Sequence, residues 1–341
     1  MEEKRTLTAE DFRFVNRHPK AEIDENYASQ SYGRDVLARL CANKGAIIGL
    51  VLIILVMLFA IVAPMVSGYT YKDVNAAATN LPPKIPGLEK LGIFDGTLNG
   101  VDIYAQKGIE EYHYFGTDNL GRDIFTRVGE GTRISLMIAF LSITVNLLIG
   151  VVYGLISGYF GGWVDNVMQR FIEILVGIPS MVILTLLLLV MKPGIASIVI
   201  ALTITSWVNM SRIVRAQVLK LKNQEFVLAS KTLGTPSLRI VRKDMLPNAF
   251  GQIIITFTFS IPDAIFLEAF LAFIGLGVQE PMASLGSLIN TGYKSAMTYP
   301  YMIVAPVVIL AILMLSFTVL GDGLRDAIDP QMKEQLSLIH I

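Results

Sequence analysis

Six stretches of this chain, 45–66, 134–158, 171–191, 194–210, 249–275 and 301–320, are apolar over lengths at or near those needed to cross a membrane. A helix needs about 20 mainly apolar residues to span a ~30 Å hydrocarbon layer. Inside that layer every backbone N–H and C=O must be bonded within the chain, and for isolated apolar runs the helix achieves this. Only 16% of the residues are charged, against about 25% in a soluble domain. The expected class is therefore an all-α polytopic membrane protein with six transmembrane helices.

Charge placement orients the spans. Arg34, Arg39 and Lys44 precede the first, which puts the N-terminus in the cytoplasm. Residues 1–44 then form a cytoplasmic tail of mixed charge, in which Phe12, Phe14 and Tyr27 are candidate docking side chains. Residues 67–133 form an extracytoplasmic loop, where Asp95-Gly96 and Asn99-Gly100 point to hairpin turns in a small subdomain. At its end, Asp118 is expected to cap a short amphipathic helix presenting Ile124, Phe125 and Val128 at the membrane interface. A core over 134–320 holds spans two to six. Small polar residues in the second span suit helix–helix contact. Pro179 should kink the third, and the fourth is barely long enough to cross. Residues 321–341 form a capped helix end and a cytoplasmic C-terminal tail.

Two carboxylates, Asp263 and Glu268, fall near mid-membrane in the fifth span. A charge at that depth is costly, so each must face protein or water. Two readings stay open for them: lining a pathway, or pairing within the bundle.

The segment 211–247 is the most basic loop, with Arg212, Arg215, Lys220, Lys222, Lys231, Arg239, Arg242 and Lys243 against Glu225 and Asp244. It belongs in the cytoplasm. Within it, 225–233 fits a helix with Phe226, Ser230 and Leu233 on one face. Gly234 supplies a positive-φ stop. Thr235 and Pro236 are expected to restart a helix as cap and first residue. Leu238, Val241 and Met245 should share a face of that second helix, which Pro247 should end. Two short helices at an angle, with an apolar patch and a basic rim, suit insertion into a groove of a partner.

Several function classes lose ground on the same evidence. The formal net charge is zero, which gives no case for nucleic acid. A DNA-binding helix–turn–helix would also fit 225–248, but the flanking spans leave it no reach into a groove. The single cysteine, Cys41, can form no intrachain disulfide. The histidines His18, His113 and His340 lie far apart with no metal-ligand spacing, so no cofactor or metal is expected. An intramembrane enzyme lacks a Ser–His or metal pair at matching depth. A stand-alone secondary transporter needs internal coupling machinery such as repeated broken spans, and only Asp263 and Glu268 are candidates for it. No GxxxxGK[ST] loop is present, so P-loop ATP hydrolysis must come from another chain.

Ala229, Gly234, Leu246 and Pro247 stand at the spacing of the signature of permease subunits of binding-protein-dependent ABC importers, which this chain resembles. Leu228 and Ser230 replace the Glu and second Ala of the signature triplet, and Glu225 is the nearest stand-in carboxylate. Further likenesses to peptide-importer permeases are Asn43-Lys44-Gly45 with Ala63-Pro64, Phe115-Gly116-Thr117-Asp118 through Leu120-Gly121-Arg122-Asp123, Phe273-Ile274-Gly275-Leu276-Gly277, and Gly321-Asp322-Gly323-Leu324-Arg325-Asp326-Ala327-Ile328-Asp329-Pro330. They run from about residue 36 to 331 and are most similar to the C-type permease of oligopeptide transporters. The resemblance implies the type I importer fold in a bacterial plasma membrane, with both termini cytoplasmic. It implies a heterodimer with a B-type permease, two cytoplasmic ATP-binding subunits and an extracytoplasmic peptide-binding protein. The cargo is then a peptide, with dipeptides or nickel as the alternative. The ATPase-docking residues are Glu225, Phe226, Ala229, Ser230, Leu233, Gly234, Thr235, Pro236, Leu246 and Pro247.

Overall fold

The computed structural model describes residues 32–192 and 194–328. Phe12, Phe14, Tyr27, His18, His340, Asp329 and Pro330 lie outside the described residues. Helix α1 (Tyr32–Ala42) meets α2 (Lys44–Val66) at Asn43, whose side chain accepts the Ala46 N–H at 3.2 Å and so starts the first apolar helix. Residues 67–123 then build a cap at one end of the bundle. Its hairpin pairs β1 (Thr97–Leu98) antiparallel to β2 (Val101–Asp102). The turn is Asn99-Gly100, both at positive φ, as a two-residue hairpin of that composition requires. A five-residue helix, α3 (Ile103–Lys107), brings Tyr104 into a small core with Ala78 and Leu81.

The remaining helices are α4 (Ile124–Phe160), α5 (Gly162–Gly177), α6 (Ser180–Val190), α7 (Ile195–Lys222), α8 (Glu225–Thr232), α9 (Ser237–Ile240), α10 (Leu246–Phe273), α11 (Leu285–Lys294) and α12 (Tyr301–Ile328). Among the described residues five helical segments are long and apolar enough to cross a membrane: α2, α4, α7, α10 with the turns leading into it, and α12. The sixth is α5 with α6, if that pair, bent by 78°, is one span.

Four local expectations change. Asp118 caps no helix; Asp123 does, accepting the Thr126 N–H at 2.8 Å. The amphipathic segment is therefore the first turns of α4 itself. Pro179 breaks the third span outright, because a residue before proline is pushed to extended backbone and Ile178 sits at φ −98°, ψ 129°. The fourth span is not short: with no breaker before Asn223, α7 runs 28 residues into the basic segment. Gly321 and Gly323 do not end the last helix. They let α12 approach its neighbours, and a Cβ on Gly323 would lie 2.4 Å from the Ala46 Cβ.

The most extensive seam joins α4 to α7. Gly150, Gly154 and Gly158 recur every fourth residue, so they form one stripe on α4. A Cβ at Gly154 would sit 2.5 Å from the Ser211 carbonyl, and one at Gly158 2.8 Å from the Val218 Cβ. Small residues at this spacing let two backbones touch, which is how helices associate where apolar burial gives no net drive. Helix α11, between the fifth and last spans, is held the same way, Gly286 lying against Ala269 and Gly292 against Ile303.

Candidate functional site

The basic end carries the two-helix element. Helix α8 stops at Gly234, φ +75°, with the Leu233 N–H donating to the Ala229 carbonyl and the Thr235 N–H to the Ser230 carbonyl, each at 3.0 Å. This left-handed closure is what the glycine permits. Thr235 does not cap the next helix. Pro236 holds that position, its carbonyl accepting from the Arg239 and Ile240 N–H groups. Nor does Pro247 stop it: α9 passes through a π-helical turn, Val241–Met245, directly into α10. Proline is tolerated there because the π-helical turn just before it already interrupts the regular ladder in which its N–H would be needed.

One face of the element is anchored. Val227, Ile240 and Met245 are buried against Val214, Val218, Tyr159, Ala249 and Ile253. Lys222 Nζ donates to the Tyr159 carbonyl at 2.6 Å, and the Lys222 and Lys231 ammonium groups lie 6.0 and 5.6 Å from the Tyr159 ring centre. Nearby, Arg215 makes a two-pronged pair with Asp165, Nε at 2.6 Å and Nη2 at 2.5 Å. The other face is bare. Leu233 and Leu238 are 84% and 80% exposed, and Phe226 and Leu228 nearly half. Leu238 therefore does not share the face of Met245, as a single regular helix would have it. Glu225, Ala229, Pro236 and Pro247 are exposed, while Ser230, Thr235 and Leu246 are half-buried. Seven of the ten residues are thus exposed and three half-buried, and the buried anchors Val227, Ile240 and Met245 are not among them.

Mid-bundle, the two carboxylates separate. Glu268 is fully buried, and the Ser135 hydroxyl donates to it at 2.8 Å. Asp263 is exposed, has no hydrogen bond or ion pair among the described residues, and lines two adjoining cavities, one between α4, α7 and α10 and the other between α7, α10 and α12. Pairing in the bundle describes Glu268, and cavity lining describes Asp263. They stand five residues apart, which turns them to different sides of α10.

At the cap end, a charge cluster ties the 67–123 segment to the loop after α10. Arg122 donates to Asp118 at 2.8 Å and to Glu280 at 2.9 Å, and Arg127 lies 3.7 Å from Asp118. The Arg122 guanidinium holds the Glu280 carboxyl below the usual carboxylate range. His113, buried, shares a hydrogen bond with Asp123 at 2.8 Å. Gly116 and Gly121 adopt positive φ in crowded places; a Cβ at Gly121 would fall 1.8 Å from the Asn75 carbonyl. Sequence reasoning missed the Arg122–Glu280 tie, whose partners are 158 positions apart. It missed α11 too, although Ser284 and Ser287 spell its capping box. No group of metal-ligating side chains occurs among the described residues.

Residues 150–334 match the family described as the binding-protein-dependent transport system inner membrane component, and residues 31–83 match the N-terminal transmembrane domain of oligopeptide transport permease C. The chain is 43% identical over 306 residues to the oligopeptide transport system permease protein OppC of Bacillus subtilis, covering 90% of this chain and 92% of that one. It is 39% identical to the dipeptide transport system permease protein DppC of the same organism, over 97% of this chain and 96% of the other. It also overlays a chain from a solved inward-facing MetNI methionine ABC transporter, with a TM-score of 0.49 and 21% identity, over 60% of this chain and 96% of that chain.

Proposed function

The chain belongs to the family of inner-membrane components of binding-protein-dependent transport systems, and from that premise we propose that it is one of two permease subunits of an ATP-driven peptide importer. It forms half of the translocation pathway, with a B-type permease as the other half. Two ATP-binding subunits dock on the basic end, which faces the cytoplasm together with both termini. A peptide-binding protein delivers cargo to the 67–123 cap. ATP hydrolysis takes place in the partner subunits, and this chain does no chemistry. Asp263 lines the pathway, and Glu268 is held within the bundle.

The single observation that carries the reading is the bare apolar edge of the two-helix element. Phe226, Leu228, Leu233 and Leu238 are presented to solvent by helices whose opposite face is fully anchored. A patch of that kind on a folded element marks a surface built for a partner. Basic side chains around it, among them Arg239 and Arg242, favour an acidic-rimmed groove. The peptide cargo is supported by the relatives, which are oligopeptide and dipeptide permeases.

Purification of the complex tests this. An ATPase chain should copurify with the wild-type protein, and Leu238→Asp should weaken that association at least tenfold, the cost of placing a charge in an apolar interface core. In vesicles, binding-protein-dependent uptake should cease when ATP is depleted. A panel of oligopeptides, dipeptides and Ni²⁺ identifies the cargo. Uptake that survives ATP depletion, with no ATPase bound, would overturn the reading.

A further inference from the structure

The cavity beside Asp263 has a chemical character beyond being polar. It has a volume of about 210 Å³, well above the ~10–15 Å³ that one water needs. Its polar wall comes from Ser142 and Asn146 on α4, Ser206 and Asn209 on α7, and Ser260 and Asp263 on α10. The donors of two of these are already spent. The Ser142 hydroxyl donates to the Ile138 carbonyl and the Ser260 hydroxyl to the Thr256 carbonyl, both at 2.8 Å. Only lone pairs remain on those oxygens. Asn146 is 8% exposed, and its carbonyl oxygen is buried without a hydrogen-bond partner. The Asp263 carboxylate has no partner among the described residues either. The cavity therefore offers acceptors and negative charge beside the donors of Ser206, Asn209 and the Asn146 amide. A ligand with several N–H donors and a positive charge satisfies both, which describes a primary ammonium group. In a site at membrane depth the match matters more, because an unpaired carboxylate and an unpaired ammonium are each costly there and a pair is less so.

We propose that Asp263 and Asn146 form a subsite in the pathway for the protonated amino terminus of the passing peptide. This rests on the importer reading above. It makes Asp263 a specificity-determining residue: peptides with a free amine cross readily, and peptides whose amine is blocked lose the interaction. Glu268 has no such part, because it is fully buried and lines neither cavity. The adjoining cavity also contains Arg325, which supplies a charge of the opposite sign and a natural control.

The test uses the full complex with its binding protein in vesicles, and one tripeptide with its N-acetylated analogue, chosen so that the binding protein binds both measurably. The binding protein is the same in every arm, so its own preference cancels when variants are compared. Asp263→Asn, which keeps shape and removes charge, should reduce the ratio of free to acetylated peptide uptake by about tenfold, the size of one charge-assisted hydrogen bond. Asn146→Leu should lower the ratio less, and Asp263→Glu should restore much of it. Binding-protein-stimulated ATP hydrolysis reports that each variant is assembled. If Asp263→Asn scales uptake of both peptides equally, or if Arg325→Gln reduces the ratio as much, the subsite is wrong. If the wild-type complex takes up neither peptide with ATP, the importer reading has failed instead.

Discussion

The two ends of this bundle handle exposed groups in opposite ways. The cap end hides its charges. Asp118, Arg122, Asp123, Arg127 and His113 are all buried, and Glu280 reaches in from a distant loop to join the cluster. The basic end leaves its apolar side chains bare, with Phe226, Leu228, Leu233 and Leu238 in solvent. At the cap, the His113 Nε2 and the Arg127 Nε and Nη1 are buried without a hydrogen-bond partner among the described residues, so ion pairing and packing hold the cluster inward without satisfying all of it. A region that folds one face firmly and leaves the other apolar and open is finished only by something else. The cap thus turns a charge cluster inward, and the two-helix element turns apolar side chains outward.

Glycines at positive φ, one in each region, allow the sharpest test. Gly121→Ala places a methyl group against the Asn75 carbonyl in a closed turn, and should cost about 3 kcal/mol through steric overlap and backbone strain together. Thermal unfolding of the detergent-solubilised protein should show a large drop, and an unchanged midpoint would mean that the cap is looser than described. At Gly234 an added Cβ meets no atom within 4 Å, so Gly234→Leu strains chiefly the backbone conformation, at about 1 kcal/mol. Membrane insertion should persist while ATPase copurification and ATP-driven uptake fall. Normal uptake by that variant would erase the distinction between the two ends. The smallest effect belongs to the Arg122–Glu280 pair. Its folded-state carboxyl titrates below the unfolded value of about 4.3, so its contribution is present above that pH and is lost as pH falls through the folded pKa. Glu280 is more than half exposed, which keeps the contribution under about 1 kcal/mol. Glu280→Gln should flatten that part of a melting-temperature profile taken between about pH 6 and pH 3, and an identical profile would show the pair to be idle.

What could be read from the chain alone followed the range of the forces involved. Apolar length is a local property, so the spans were visible. Asn99-Gly100 and Gly234 announce their turns because only a few residue types tolerate those dihedral angles. Glu268 and Asp263 could not be told apart, because which carboxylate meets Ser135 and which meets a cavity depends on how α10 is turned against α4. Pro247 misled because proline stops a regular helix, and the π-helical turn before it, which accommodates the missing N–H, was not visible from the pattern. The Gly150, Gly154 and Gly158 stripe was present in the spacing, but nothing local says that α7 is what it admits.

Helix α4 begins at Asp123 in the cap and ends beside Tyr159, where the two-helix element is pinned. It is one unbroken helix of 37 residues, about 55 Å long at 1.5 Å per residue. An arm of that length magnifies small angles: a tilt of roughly 5° about one end sweeps the other through about 5 Å, one helical turn. On the proposed reading, partners docked at the basic end and cargo delivered at the cap would hold opposite ends of the same lever.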